Sequence, residues 1–104
     1  MAVAFVQEFP ATGDDRSTTN YDAISARIDP ERDWPKGMIV HTAGWDEDQK
    51  VFRIFDVWET QEDAQRFMDE RLMPIMEELA GDGPPPGPPP ARQYYYEIHH
   101  LVTK

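Results

Sequence analysis

Apolar positions alternate with polar ones in some stretches of this chain and recur every third or fourth position in others. The two periods separate strands from helices. The clearest case is residues 51–79, VFRIFDVWETQEDAQRFMDERLMPIMEEL. Residues 51–59 are rich in β-branched and aromatic side chains and predict a strand. One face carries Phe52, Ile54, Asp56 and Trp58, and the other carries Val51, Arg53, Phe55 and Val57. Both faces are largely apolar, so both should be covered. Thr60 then supplies a hydroxyl to cap a helix, with Glu62 and Asp63 at the positive end of its dipole. Ala64, Phe67, Met68, Leu72, Ile75, Met76 and Leu79 form one stripe of that helix. Pro74 lies inside the run, removes a backbone donor and crowds the carbonyl of Glu70, so a kink or break is predicted just before it.

The rest of the chain supplies the remaining elements. Residues 2–9 predict a first strand, with Val3, Phe5 and Phe9 on one face and Ala4 and Val6 on the other, ended by Pro10. A polar loop over residues 11–18 leads to a helix with Thr19 as its cap. Tyr21, Ile24 and Ile28 sit at helical spacing there, and Pro30 ends the helix near Asp29. A loop with Trp34 and Pro35 precedes a second strand over residues 38–45, and a charged turn over residues 46–50 makes a hairpin with the third. Residues 81–90, GDGPPPGPPP, predict an extended connector, its proline-rich loop at 84–90, and residues 92–103 a last strand. The order βαββαβ with two right-handed crossovers predicts a single α+β domain. It is ferredoxin-like: a four-stranded antiparallel sheet with both helices on one face. The other face would be left bare, and a two-fold homodimer with its sheets face to face covers it.

Composition narrows the function. A formal charge of −10 argues against nucleic acid and anionic membranes as partners, because both recruit basic patches. The absence of cysteine removes disulfides, thiol nucleophiles and zinc–cysteine sites. No stretch resembles a signal peptide or a membrane span, so a cytoplasmic, soluble protein is expected. No nucleophile elbow, phosphate loop or dinucleotide fingerprint is present.

A few side chains are candidates for chemistry. Trp58 can stack on an aromatic ligand, or can simply fill the core where sheet meets helix. Asp56 shares its face, and burial there would raise its pKa and make it an acid or base. His41, His99 and His100 all fall on predicted strands. His99 and His100 are adjacent, point oppositely and cannot grip one metal, so no metal site is expected. His41 and His99 can meet across the sheet if the strand register allows. Tyr94, Tyr95 and Tyr96 are sheet formers, with Tyr95 facing opposite to the other two.

The element order and the run FDVWETQEDAQRF resemble the dimeric α/β-barrel superfamily, in particular its antibiotic-biosynthesis-monooxygenase-like members. MIVHTAGW, RFMDERLMPIMEEL and EIHHLV in this order are similar to small bacterial proteins of uncharacterised role. The resemblance implies a cofactor-independent oxygenase acting on a small aromatic or quinol-type molecule held between sheet and helices, without metal or flavin. The alternative is a non-catalytic, small-ligand-binding or structural homodimer. Trp58 matches the family tryptophan, whereas the single asparagine, Asn20, matches the family asparagine poorly. The second helix carries no histidine, which argues against the haem-degrading relatives. On this reading Trp58 and Tyr95 bind the ligand, while His99 first, His41 second, and Asp56 supply proton transfer.

Overall fold

The computed structural model describes residues 2–11, 18–83 and 90–103. Its elements run β1 (Val3–Pro10), α1 (Thr19–Ile28), β2 (Met38–Asp46), β3 (Val51–Trp58), α2 (Gln61–Phe67), a π-helical segment (Met68–Leu72), α3 (Met73–Ala80) and β4 (Arg92–Glu97). The strands form one antiparallel sheet in the order β2-β3-β1-β4. This is the ferredoxin-like α+β arrangement expected from the pattern. The expected polar loop lies largely, and the proline-rich loop almost wholly, outside the described residues.

Register decides which residues share a face. Val3, Phe5, Gln7 and Phe9 of β1 stand opposite Trp58, Asp56, Ile54 and Phe52 of β3. Across β3, Asp56 pairs with His41 and Phe52 with Trp45. Side chains at paired positions lie on one face, and this face meets the helices. Its core is Val3, Phe5, Met38, Trp58 and Ala64, with Phe67, Met68 and Tyr95 packed against it. The outward face carries Ala4, Val6, Glu8, Arg53, Phe55 and Val57, flanked by Arg92, Tyr94 and Tyr96 of β4.

The second helical region shows how the chain accommodates Pro74. Thr60 caps α2 by accepting from the Asp63 amide at 3.1 Å. The helix does not break before the proline. It widens, and the Met73 amide donates to the Met68 carbonyl five residues back. The extra residue in that turn gives the proline ring room beside the preceding turn, and α3 then starts with Pro74 in its first turn. Arg71 projects from the widened segment and donates to the carbonyls of Ile28 (2.8 Å) and Asp33 (3.2 Å), tying the end of α1 to the second helical region. Its guanidinium also lies over the Phe67 ring.

Two details differ from the expected pattern, and a third, at Gly37, lies outside it. Thr18, not Thr19, precedes the first helical residue, and its hydroxyl donates to Asp22 without reaching a backbone amide. Gly37 has φ +85°, and an added Cβ would lie 2.4 Å from the Asp63 carboxylate, so only glycine fits there. The last strand ends at Glu97, six residues earlier than expected. The Ile98 amide still bonds the Ala2 carbonyl, but residues 99–103 have left the ladder.

Candidate active site

The sheet's helix-side face, α1 and the second helical region enclose a cavity of about 1090 Å3. That is just above the range of about 300–1,000 Å3 typical of small-molecule sites. Phe5, Phe9, Phe52, Ile54 and Trp58 form its floor; Tyr21, Ile24 and Ile28 of α1 and Phe67, Met68, Leu72 and Met76 beyond it form its walls. The lining is apolar because this face alternates large hydrophobic residues along β1 and β3. The widened turn at Met68–Leu72 sits directly in the wall.

Polar groups converge at one place on that wall. The Nδ1 of His41 lies 2.5 Å from an Asp56 carboxylate oxygen, and its Nε2 lies 2.6 Å from the Tyr21 hydroxyl. Asp56 accepts from the protonated Nδ1, which leaves the lone pair of the neutral ring at Nε2, facing the tyrosine O–H. The Tyr21 and His41 rings are nearly parallel, with centroids 6.1 Å apart. Phe52 meets Tyr21 edge-on, at 5.5 Å, and Trp45 meets Phe52 in turn, so the aromatic frame fixes the phenol. Three elements supply the three groups: β3 Asp56, β2 His41 and α1 Tyr21.

Electrostatics follow from this geometry. Burial pushes the Asp56 carboxyl up, opposed by its bond to His41. That same bond raises His41 above the usual histidine value, with burial opposing. Burial also raises the Tyr21 hydroxyl, and the Asp56 and Asp22 charges add to the effect, while a hydrogen bond from Ser25 opposes it. The tyrosine therefore stays protonated near neutral pH and can release its proton only as another arrives. In sum, the arrangement can accept a proton at the cavity wall and store it as an imidazolium beside a carboxylate.

The expected candidates separate in space. Asp56, His41 and Trp58 all line the cavity. Trp58 is 1% exposed, packs at 5.3 Å against Phe67, and its indole N–H finds no acceptor among the described residues. Tyr95 shares the face but not the cavity. It stacks on Phe5 at 4.5 Å, and burial raises its hydroxyl pKa, with Asp69 adding. His99 is not brought to the cavity. It stands exposed beyond the end of β4, as does His100, so the meeting of His41 with His99 does not occur. Asn20 lines the mouth beside Tyr21. The residue the sequence reading passed over is Tyr21, which looks like one more member of the apolar stripe of α1. A buried carboxylate on β3 needs hydrogen-bond partners, and a hydroxyl on the facing stripe is the signal that points to it. Among the described residues no group of three or more histidine or acidic side chains is arranged to hold a metal ion.

Against known structures, the chain matches proteins of one fold. The cofactor-independent oxygenase SnoaB from Streptomyces nogalater aligns over 99% of this chain and 98% of its own, with a TM-score of 0.62 and 15% identity. A putative antibiotic biosynthesis monooxygenase from Chloroflexus aurantiacus gives the same coverage, a TM-score of 0.62 and 14% identity. The monooxygenase ActVA-Orf6 of Streptomyces coelicolor, solved in complex with nanaomycin D, gives 99% and 91% coverage, a TM-score of 0.59 and 17% identity. The fold is thus that of the antibiotic-biosynthesis-monooxygenase-like proteins. At such identities the likeness shows the fold alone. No protein-family model and no curated protein matches the sequence.

Proposed function

We propose that this protein is a cofactor-independent, oxygenase-like enzyme acting on a small aromatic or quinol-type molecule bound in the helix-side cavity. The observation that carries the reading is the His41–Asp56 pair, bonded at 2.5 Å on the wall of a large apolar cavity. A phenol or quinol that loses its proton there becomes an electron-rich anion able to pass an electron to O2. Oxidation of a phenol to a quinone then balances without an external reductant. One oxygen atom becomes the new carbonyl, the other leaves as water, and the phenol supplies all four electrons. The protein's task is to bind the ring, exclude water and take up the proton. The half-buried Phe52 and Tyr21 supply stacking area, the nearly fully buried Trp58 supports the floor beside them, Tyr95 backs that floor through Phe5, and His41 with Asp56 supplies the base. His99, outside the cavity, takes no part in this geometry.

The reading includes a homodimer. The outward face sets the half-buried Phe55 and Tyr94 and the exposed Tyr96 around the already buried Val6 and Ala4, and packing two such faces together removes the three aromatic rings from water. Light scattering in moderate salt checks this, and a clean monomer contradicts it. The test of the activity is oxygen uptake with a dihydroxynaphthalene as probe. The parent protein raises uptake above the uncatalysed rate, and His41→Ala abolishes the increase. Binding of the probe with no added uptake would favour the non-catalytic, ligand-binding alternative.

A further inference from the structure

Resting on that reading of the cavity, we infer that the Tyr21 hydroxyl is the atom that meets the substrate. The cavity accordingly selects aromatic molecules carrying an ionisable hydroxyl. Both ring nitrogens of His41 are already engaged, Nδ1 by Asp56 at 2.5 Å and Nε2 by Tyr21 at 2.6 Å. A ligand therefore cannot hydrogen-bond to the imidazole without breaking one of these contacts. Tyr21 is different. A phenol oxygen that donates its one proton to His41 keeps lone pairs that can accept from a ligand. Its ring lines the cavity, whose floor includes Trp58, and is held edge-on by Phe52 at 5.5 Å.

The transfer is a double proton shift. The ligand's O–H bond breaks as its proton moves to the Tyr21 oxygen. The Tyr21 O–H bond breaks as that proton moves to His41 Nε2. The result is a ligand oxyanion, an intact tyrosine and an imidazolium facing the Asp56 carboxylate, with no change in total charge. The carboxylates around the relay are Asp56 on β3, Asp22 on α1 and, at the cavity wall, Glu77 on α3. Asp56 and Asp22 oppose a standing tyrosinate, so the tyrosine passes a proton on and does not hold a charge. Tyr21 is then the catalytic residue, and His41 and Asp56 act through it as positioning residues.

The probe is para-nitrophenol, whose phenol and phenolate forms absorb differently. It is used at a pH where the free compound is mostly phenol. Calorimetry reads binding and absorbance reads ionisation. The parent binds the probe and converts the bound fraction to phenolate. Tyr21→Phe keeps affinity within roughly tenfold, because the stacking surfaces remain, but its bound probe stays phenol. His41→Gln gives the same result through the other end of the relay and serves as the second variant if Tyr21→Phe does not fold. Ionisation in either folded variant equal to the parent's overturns the assignment. Failure of the parent to bind the probe overturns both this assignment and the ligand reading of the cavity. Proton transfer in the parent without oxygen uptake from a dihydroxynaphthalene leaves Tyr21 as assigned and overturns only the oxygenase reading.

Discussion

The two faces of this one sheet both hold buried charge, and they treat it differently. On the outward face Glu8, 7% exposed, lies between Arg53 at 2.8 Å and Arg92 at 3.7 Å, and Arg53 also reaches Asp46 at 2.7 Å. Each buried acid there meets a cation, so the network closes on itself. On the helix face Asp56, 6% exposed, meets a histidine, and the histidine meets a hydroxyl that borders a cavity. That chain stays open at one end. A buried carboxylate is therefore a poor guide to a site by its presence alone. What distinguishes the two faces is whether the hydrogen bonds end in a paired charge or in a group with spare capacity facing open space.

The largest effect expected on this comparison comes from Trp58, which serves packing and cavity together. Trp58→Ala removes a fully buried ring from the core and costs about 3–5 kcal/mol, read as a fall in the urea midpoint. Trp58→Phe keeps the fold and weakens an aromatic ligand by roughly tenfold. Next is Glu8→Gln, which leaves Arg53 and Arg92 facing each other across β1. Partial solvent access to the arginines limits the loss to about 1–2 kcal/mol, and ligand binding is unchanged. If Glu8→Gln weakened ligand binding as Trp58→Phe does, the separation of the faces would fail. Gly37→Ala is smaller again, about 1 kcal/mol or more, because of its positive φ and the Asp63 carboxylate beside it. Thermal unfolding measures it.

The smallest effect is the pH dependence of stability. The folded-state pKa of His41 lies above its ordinary 6.5, so protonation favours the folded protein. The contribution is complete below about 6.5 and is lost as the pH rises through the raised value. Asp56 is also raised, so it carries the same sign in its own window, from 3.8 upward. Replacing His41 with glutamine should flatten the decline of stability above pH 6.5, measured by urea unfolding at successive pH values. A decline as steep as the parent's would place its cause in other groups.

Much of this was legible in the sequence. Alternation in residues 51–58 located the central strand and the face shared by Asp56 and Trp58. The hairpin of β2 and β3 followed from a charged turn between two apolar runs. What alternation cannot supply is register: the β2–β3 register pairs His41 with Asp56, and the strand order β2-β3-β1-β4 sets β4, beyond whose end His99 lies, two strands away from β2. The run after Glu97 looks like strand, yet the β1–β4 ladder ends with Val3 opposite Glu97, and past it only the bond from the Ile98 amide to the Ala2 carbonyl joins the two among the described residues. Pro74 announced a disturbance in the helix, but a widened turn and a break have the same signature in sequence. On the outward face, Glu8 and Arg53 were visible as alternating polar residues, while their pairing depended again on the β1–β3 register.

The measurement that bears most directly on the contrast between the faces is a two-dimensional NMR titration of the labelled protein with 1-naphthol. Resonances of Tyr21, His41, Phe52, Trp58 and Met76 should move saturably, while those of Val6, Arg53 and Tyr94 stay in place. Movement confined to the outward face, or no saturable movement anywhere, would contradict a helix-side ligand site.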